Sequence, residues 1–403
     1  MKNLCNKKIL LIICGGIAAY KSLDLIRNLK KNQCKIKTIL TKGALEFITP
    51  LSVSSLTGEK VYTGLFDYKN EAEMDHITLS RWADVILFAP ITANKLAQLS
   101  HGLAEDLATT VALASNKDIF LAPAMNVRMW ENKITRNNLI KLVSFGYKII
   151  EPEIGEMACG EYGPGKFSDP LNISKSINNY FKNIEENKKI KALVTAGPTR
   201  EYLDPVRFIT NRSSGKQGYA IADALQKNGF ETILITGPTN LKSPEGVKIV
   251  KINTAEEMYE KTIENLPVDI AIFSAAVADF KVKRSNLVKI KKENFEKLEI
   301  EKTKDILNYI SKHNKLRPKL VVGFAAETNN IEHNSIKKLN EKSCDWIVAN
   351  DVSNEKIGFD SDLNEVKIFR KNVSKAENIL LNTKEFIAQK LVEKISNELK
   401  ANA

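Results

Sequence analysis

Phe120-Leu121-Ala122-Pro123-Ala124-Met125-Asn126-Val127-Arg128-Met129-Trp130 is the stretch on which the first half of the chain turns. Ile119 to Ala122 reads as a buried strand. It breaks at Pro123, because proline lacks the N–H that a central ladder needs. Ala124 and Met125 follow, and then one uncharged amide, Asn126. In an open parallel sheet, ligands bind just past the carboxyl ends of the strands. A small residue there admits a planar ligand, and an amide brings a donor and an acceptor without a charge. Pro and Asn are also ordinary turn residues, so this stretch alone leaves a turn and a binding site equally open.

Recurrence along the chain favours the site. Asp84 to Ala89 reads as a second such strand and runs into Pro90-Ile91-Thr92-Ala93-Asn94, again strand, Pro, small residues and Asn. Two such exits side by side would floor a crevice for a flat ring with polar edges. Upstream, Lys8 to Cys14 is a continuous apolar run of the kind buried on both faces of a sheet. Gly15-Gly16 follows. A helical pattern then runs from Ile17 to Lys30, with Ala19, Leu23 and Ile26 on one face. Strand, glycine turn and helix together make an anion site from free backbone and a helix N-terminus. Lys35 to Leu40 is a further strand ending at Thr41, another hydroxyl for a phosphate. His101 to Asp106 reads as a helix start. This alternation is that of a doubly wound α/β sheet.

Two further features stand out in this half. His76 lies in Met74-Asp75-His76-Ile77, just before the helix that contains Trp82. Cys159 lies in a Gly-rich run, Met157 to Lys166, which reads as a mobile flap rather than a packed element. A lone His is ordinarily structural and a free Cys ordinarily buried. A thiol in a flap with Lys166 nearby is a better candidate for reactivity. Asn183 to Lys191 is charged and reads as solvated. The domain boundary is set there, giving domains 1–189 and 190–403.

The second half repeats the architecture. Ala192 to Ala196 is a strand ending in Gly197-Pro198-Thr199. Hydroxyls, glycines, Arg212 and Lys216 in Asp204 to Gly218 lead into a helix, which suits a phosphate. Three more strands end in small residues and a carboxylate: Asp269 to Ser274 before Ala275-Ala276-Val277-Ala278-Asp279, Lys319 to Gly323 before Phe324 to Thr328, and Asp345 to Ala349 before Asn350-Asp351. Acids beside phosphate binders suggest Mg²⁺. Lys281 to Lys304 carries nine basic residues. It reads either as a solvated loop or as a lid whose Lys289 to Lys292 closes over transferring phosphates.

Bulk composition narrows the classes. The 403 residues suggest two or three domains, and 43% hydrophobic residues supply ample core. The net charge of +12 admits a nucleic-acid partner, but no Arg-rich arm, helix-turn-helix or aromatic RNA-binding signature accompanies it. Five widely spaced cysteines without C-x-x-C argue against a disulfide framework or zinc site and for a reducing, cytoplasmic setting. No run approaches the ~18 apolar residues of a membrane span.

Several motifs together carry a resemblance. They are Gly15 to Lys21, His76, Pro123 to Asn126, Ala158-Cys159-Gly160 with Gly163 and Gly165, Thr210 to Lys216, Ala275 to Asp279, Lys289 to Lys292, and Phe324 to Thr328. Over nearly its whole length the chain resembles the bifunctional bacterial phosphopantothenoylcysteine decarboxylase / phosphopantothenate–cysteine ligase family of coenzyme A biosynthesis. The resemblance implies two tandem doubly wound (Rossmann/flavodoxin-like) domains, an FMN-dependent decarboxylase and then a CTP-dependent ligase.

By that resemblance FMN would lie across Thr92, Ala93, Asn94 and Ala124, with its phosphate near Gly16, Ile17 and Thr41. His76, Asn126 and Cys159 would be catalytic, Cys159 as general acid. The family usually has Arg where this chain has Lys166, and the two cations differ in geometry. In the ligase, Asn211 and Lys289 would be catalytic. CTP would meet Ser274, Ala275, Asp279, Lys289, Asp305, Ile306, Leu307, Asn308, Phe324, Lys338 and Lys342, with Mg²⁺ bridging its phosphates. The substrates implied are 4′-phosphopantothenate, cysteine and phosphopantothenoylcysteine. Trimeric decarboxylase halves sharing sites between subunits, and dimeric ligase halves, would build a homo-dodecamer. Two rivals are weighed against it: an electron-transfer flavoprotein, which would not need Cys159 in a flap or Asn126 at a strand end, and a non-enzymatic regulator on a flavin fold, against which His76, Asn126, Cys159, Asn211 and Lys289 speak. A nucleic-acid binder would rest on the charge alone.

Overall fold

The computed structural model describes residues 1–65, 75–291, 297–353, 361–373 and 375–401. Met74 and Lys292, at the ends of two motifs named above, lie outside them. The chain divides into two compact units, Met1–Lys182 and Asn183–Ala403. The charged segment Asn183 to Lys191, read as solvated, is helical as far as Asn187, within the helix Pro170–Asn187. That helix holds because Ile173, Ile177 and Phe181, one turn apart, are buried.

In the first unit the strands are β1 (Lys8–Ile13), β2 (Lys35–Leu40), β3 (Val61–Tyr62), β4 (Val85–Ile91), β5 (Asp118–Pro123) and β6 (Lys148–Ile149). They form one sheet in the order β3-β2-β1-β4-β5-β6, parallel throughout. Without the two-residue β3 this is the flavodoxin-like order. Either way the order reverses between β1 and β4, and the crevice at that switch point is where such sheets bind ligands. Strand β4 does not stop before Pro90. It runs on to Ile91, and its pairing with β5 shifts register between Phe88 and Ile91, which absorbs the missing proline N–H.

The first helix also differs from its sequence pattern. Ile17–Tyr20 is a 3₁₀ turn and the α-helix proper is Lys21–Lys31. Its buried face is therefore Leu25, Ile26 and Leu29. The flap is folded as well: β7 (Glu153–Glu156) and β8 (Tyr162–Lys166) pair antiparallel into a hairpin.

The second unit follows with β9 (Lys191–Ala196), β10 (Arg200–Tyr202), β11 (Phe208–Thr210), β12 (Glu231–Thr236), β13 (Lys248–Lys251), β14 (Ile270–Phe273), β15 (Phe280–Val282), β16 (Ile300–Lys302), β17 (Leu320–Glu327), β18 (Trp346–Asp351), β19 (Leu363–Arg370) and β20 (Glu377–Thr383). Its main sheet runs β13-β12-β9-β14-β17-β18-β19-β20. It is parallel up to β18 and antiparallel across β19 and β20. Successive residues of β9 feed opposite faces: Ala192, Val194 and Ala196 enter one core and Leu193 the other. Phe324 to Glu327, expected beyond a strand end, are the last residues of β17 and pair with β18. Among the described residues no helix is long and apolar enough to cross a membrane, and all five cysteines are free.

Candidate functional site

At the switch point of the first sheet lies a cavity of about 850 Å³. Three segments frame it because three local structures converge there. The first is the turn after β1. A Cβ on Gly15 would stand 2.5 Å from the backbone of Gly43, so only glycine lets these segments touch. The second is the paired exit of β4 and β5, where Ala124 N–H donates to Ile91 O at 3.1 Å. The third is the β7–β8 hairpin, locked on by Met125 N–H donating to Gly165 O at 3.0 Å. Gly165 has φ +117°, and a Cβ there would meet Met125 O at 2.5 Å.

Gly16, Ile17, Thr92, Ala93, Ala124, Asn126 and Cys159 all line this cavity. Thr41, His76 and Asn94 do not. Thr41 is buried, and its hydroxyl donates to Ile13 O at 3.3 Å. His76 is half-buried on the helix Asp75–Trp82. Asn94 is exposed in the first turn of the helix Ala93–Ser100. The two strand exits are thus not equivalent in the way their sequences suggest. The counterpart of Asn126 at the other exit is Thr92: Thr92 Oγ1 accepts the Lys95 N–H at 3.3 Å, and Asn126 Oδ1 accepts the Met129 N–H at 2.8 Å. Each starts a helix while facing the cavity.

Cys159 is exposed at the hairpin tip, and its thiol donates to Glu161 Oε2 at 3.8 Å. Lys166, Tyr20 and Lys21 also line the cavity. So do Met129, Glu156 and Phe167, which the sequence reading passed over. Their signal was only adjacency to the motifs. Below the crevice, Lys95 is buried and donates to Asp106 Oδ2 at 2.6 Å. Burial works against ionisation of Asp106, but Lys95 and Thr109 outweigh it and hold the carboxyl below its ordinary range. Cys14, at the end of the strand before Gly15, is a buried thiol pushed up to about 12 by desolvation.

The second unit has two adjoining cavities, of about 540 and 470 Å³, with Ala275, Val277, Asp279, Phe324 and Lys338 in both linings. One gathers Asp305, Ile306, Leu307 and Lys342. The other gathers Asn211, the Arg212 to Gly218 run and Ser274. Asn211 Nδ2 donates to Val277 O at 2.8 Å, which fixes the amide plane. Lys338 Nζ donates to Phe324 O at 3.2 Å, so its charge stands at the wall between the cavities.

Other expected contacts are already engaged within the protein. Lys216 Nζ pairs with Asp362 Oδ1 at 2.6 Å. Asp305 divides its oxygens between the Asn308 N–H and Lys342. Lys289 and Asn308 line neither cavity. Asn308 has a buried side-chain oxygen with no hydrogen-bond partner. The acids expected to gather for Mg²⁺ do not gather. Glu327 accepts from Asn334, and Asp351 accepts from Ser353. Among the described residues, no three His, Cys, Asp or Glu are grouped to hold a metal. Strand-end carboxylates served local turns here, which a sequence cannot distinguish from ligation. Asn350, Asn364 and the buried Lys384 also line the second cavity, and the sequence reading gave them no such role.

Both halves match known families. A flavoprotein family model matches residues 1–182, and the model of the DNA/pantothenate metabolism flavoprotein C-terminal domain matches residues 187–399. The chain is 41% identical over 394 residues to the coenzyme A biosynthesis bifunctional protein CoaBC of Haemophilus influenzae, covering 97% of this chain and 98% of that one. The protein of the same name from Bacillus subtilis is 41% identical over 381 residues, covering 93% of each. The one from Escherichia coli is 40% identical over 398 residues, covering 98% of this chain and 97% of its own.

Proposed function

The chain belongs to the family of bifunctional coenzyme A biosynthesis proteins, and from that premise we propose how its two units divide the work. The protein condenses 4′-phosphopantothenate with cysteine and then decarboxylates phosphopantothenoylcysteine to 4′-phosphopantetheine. The second unit is the ligase and the first the decarboxylase.

The observation that carries the decarboxylase reading is the meeting of Asn126 and Cys159 in one cavity floored by Thr92, Ala93 and Ala124. Its small residues and glycine turn fit FMN. Thr92, Ala93 and Ala124 would hold the ring, and Gly16 and Ile17 the phosphate. When bound, the flavin would supply a reversible two-electron acceptor that oxidises the substrate thiol, and the thioaldehyde so formed is the sink for the carboxylate's electrons.

The chain's own residues do the rest. His76 assists oxidation of the substrate thiol to a thioaldehyde. In the proposed oligomer His76 serves a neighbouring subunit's cavity, since it is not part of its own. Exposed Leu51, Leu113, Ile134, Ile140 and Phe145 are apolar surface that such an oligomer would cover. Asn126 holds the departing carboxylate through Nδ2, because its Oδ1 is committed to the helix cap. A neutral donor does not over-stabilise a ground-state charge that must disappear. Loss of CO₂ leaves an enethiol; restoring the saturated thiol takes a hydride, which the reduced flavin would return, and a proton, which Cys159 gives.

In the ligase, a carboxylate oxygen of phosphopantothenate attacks the α-phosphorus of CTP. An acyl–O–P bond forms and pyrophosphate leaves. Lys289, which lines neither cavity here, would offset the charge of that step from its exposed span, and Lys338 and Lys342 hold the nucleotide, whose phosphate charge Mg²⁺ would help to neutralise. Asn211, held by Val277 O, then orients the acyl-cytidylate while the cysteine amine attacks and CMP leaves.

The test is direct. Purified protein should be yellow and should convert 4′-phosphopantothenate, cysteine, CTP and Mg²⁺ into 4′-phosphopantetheine and CMP by mass spectrometry. Accumulation of phosphopantothenoylcysteine would refute the decarboxylase site as drawn. Product made as well with ATP as with CTP would refute the nucleotide assignment.

A further inference from the structure

The ligase residues are tied together by one small hairpin. β10 and β11 pair antiparallel, with Tyr202 opposite Phe208. Leu203 to Arg207 join them, and Asn211 follows directly after β11. In the joining turn the Asp204 side chain is fully buried. Its Oδ1 accepts the backbone N–H groups of Val206 and Arg207, both at 2.9 Å. With the Leu203 N–H donating to Arg207 O at 2.8 Å, these two bonds close the turn, as Asp commonly does.

Its Oδ2 is used differently. It accepts from Arg207 Nε at 3.0 Å, from Arg207 Nη2 at 2.6 Å, and from the backbone N–H of Ile290 at 3.1 Å. Arg207 Nη2 also donates to Ile290 O at 2.9 Å. Arg207 is the main reason that the Asp204 carboxyl is held far below its ordinary value. A buried carboxylate is tolerated when its lone pairs are all used, but nothing in a hairpin turn requires a partner 86 residues away.

The distant segment is held twice. Asn286 N–H donates to Leu203 O at 2.9 Å, and Ile290 is held by Asp204 and Arg207. Between these pins, Leu287, Val288 and Lys289 arch outward, with Leu287 93% and Val288 77% exposed. Lys289 is therefore carried on a short span clamped at both ends to the hairpin that leads into Asn211.

We infer that Asp204 is a positioning residue of the ligase: through its Oδ2 and Arg207 it fixes the backbone at Ile290 and thereby sets where Lys289 stands when the acyl-cytidylate forms. This rests on the reading of Lys289 given above. It adds a residue that touches neither substrate nor nucleotide, and a reason for its burial.

The Asp204→Asn variant separates the two uses of the carboxylate. Asn keeps one acceptor for the turn, but its NH₂ group cannot accept from Ile290 N–H and opposes Arg207. In the full-length protein, pyrophosphate release from CTP and 4′-phosphopantothenate without cysteine reads the first half-reaction alone. Decarboxylation of phosphopantothenoylcysteine by the same sample, with the melting curve, reports folding. The expected result is a fall in the single-turnover rate of pyrophosphate release of roughly tenfold to a hundredfold, as for a misplaced catalytic group, with little change in the CTP concentration that half-saturates it. Decarboxylation should be unchanged, and Asp204→Asn combined with Lys289→Ala should be no slower than Lys289→Ala alone. Unchanged pyrophosphate release in Asp204→Asn, with Lys289→Ala impaired, overturns the positioning role and leaves the Lys289 reading intact. Unchanged release in Lys289→Ala overturns both. If Asp204→Asn does not fold, Asn286→Pro removes the other pin by deleting its N–H. The same loss of rate is expected there, and a wild-type rate overturns the inference.

Discussion

Asn126 Oδ1 accepts the backbone N–H of Met129 at 2.8 Å, so one side chain both starts the helix Val127–Glu131 and faces the first unit's cavity. Only its Nδ2 remains to meet a substrate carboxylate. Asn126→Asp keeps the helix cap, since Asp caps as well as Asn, and replaces that donor with a negative acceptor. Flavin content and melting should stay near wild type while decarboxylation falls by roughly 10²–10³-fold, as for loss of one placed donor. Wild-type decarboxylation by Asn126→Asp would mean that the cap was the residue's whole role.

Gly15 and Gly16 look alike in sequence and differ in space. A Cβ on Gly15 meets the Gly43 backbone at 2.5 Å, while one on Gly16 meets nothing within 4 Å. Gly15→Ala should therefore destabilise the first unit by about 1–3 kcal/mol through overpacking, read by its melting temperature. Gly16→Ala should melt as wild type and show its effect in flavin retention alone. Equal melting of the two variants would contradict the close approach.

Asp106 caps the helix Leu107–Leu113 and faces the buried Lys95. Its carboxyl is depressed in the folded protein. The sign follows: the stabilisation it gives is complete above the ordinary carboxylate pKa of about 4 and fades as pH falls through the lower folded value. Asp106→Asn should flatten the acid side of the stability curve. Asp106→Ala at neutral pH should cost about 2–4 kcal/mol, the loss of a cap plus a buried ammonium left without its partner. Chemical denaturation at several pH values reads both.

What could be read from the chain was what local physics writes into it. Continuous apolar runs at Lys8 to Cys14 and Asp84 to Ala89 gave the buried parallel strands, because both faces are covered. Pro123-Ala124-Met125-Asn126 marked a strand exit because proline and small residues act over a few positions. The antiparallel strands β19 and β20 were passed over, although β19 alternates buried and half-buried residues over Asn364 to Ile368, the period-2 mark of an edge region. The flap was read as mobile because its glycines obscure strand propensity, yet Gly165 is there to let the hairpin touch Met125 O. Least legible were the bonds between distant residues, such as Asp204 with Ile290, for which no spacing rule exists.

Lys338 stands in the linings of both cavities of the second unit, anchored by Phe324 O at 3.2 Å. Lys338→Met keeps much of the side-chain volume and removes the ammonium. A charge-assisted contact to phosphate is worth about 1.5–3 kcal/mol, so kcat/KM for CTP should fall roughly tenfold to a hundredfold. Decarboxylation of supplied phosphopantothenoylcysteine should not change, since that site belongs to the first unit. A wild-type value for CTP would remove Lys338 from the nucleotide site.

Cys159 sits at the tip of the β7–β8 hairpin, its thiol 3.8 Å from Glu161 Oε2, while the strands below it are fixed through Gly165 and Met125. Under the proposed mechanism this thiol is the proton donor, and it acts only after CO₂ has gone. Cys159→Ser keeps size and hydrogen bonding but replaces the thiol with a far weaker acid. Oxidation and CO₂ release should persist for one turnover, and the flavin absorption should then stay bleached. Mass spectrometry should find a product lighter than 4′-phosphopantetheine by about 2 Da, the enethiol awaiting a hydride and a proton. Wild-type formation of 4′-phosphopantetheine by Cys159→Ser would show that the proton comes from elsewhere. Glu161, the thiol's own neighbour, would then be the next donor to test. Failure to release any CO₂ would move Cys159 from the reductive step to the oxidative one.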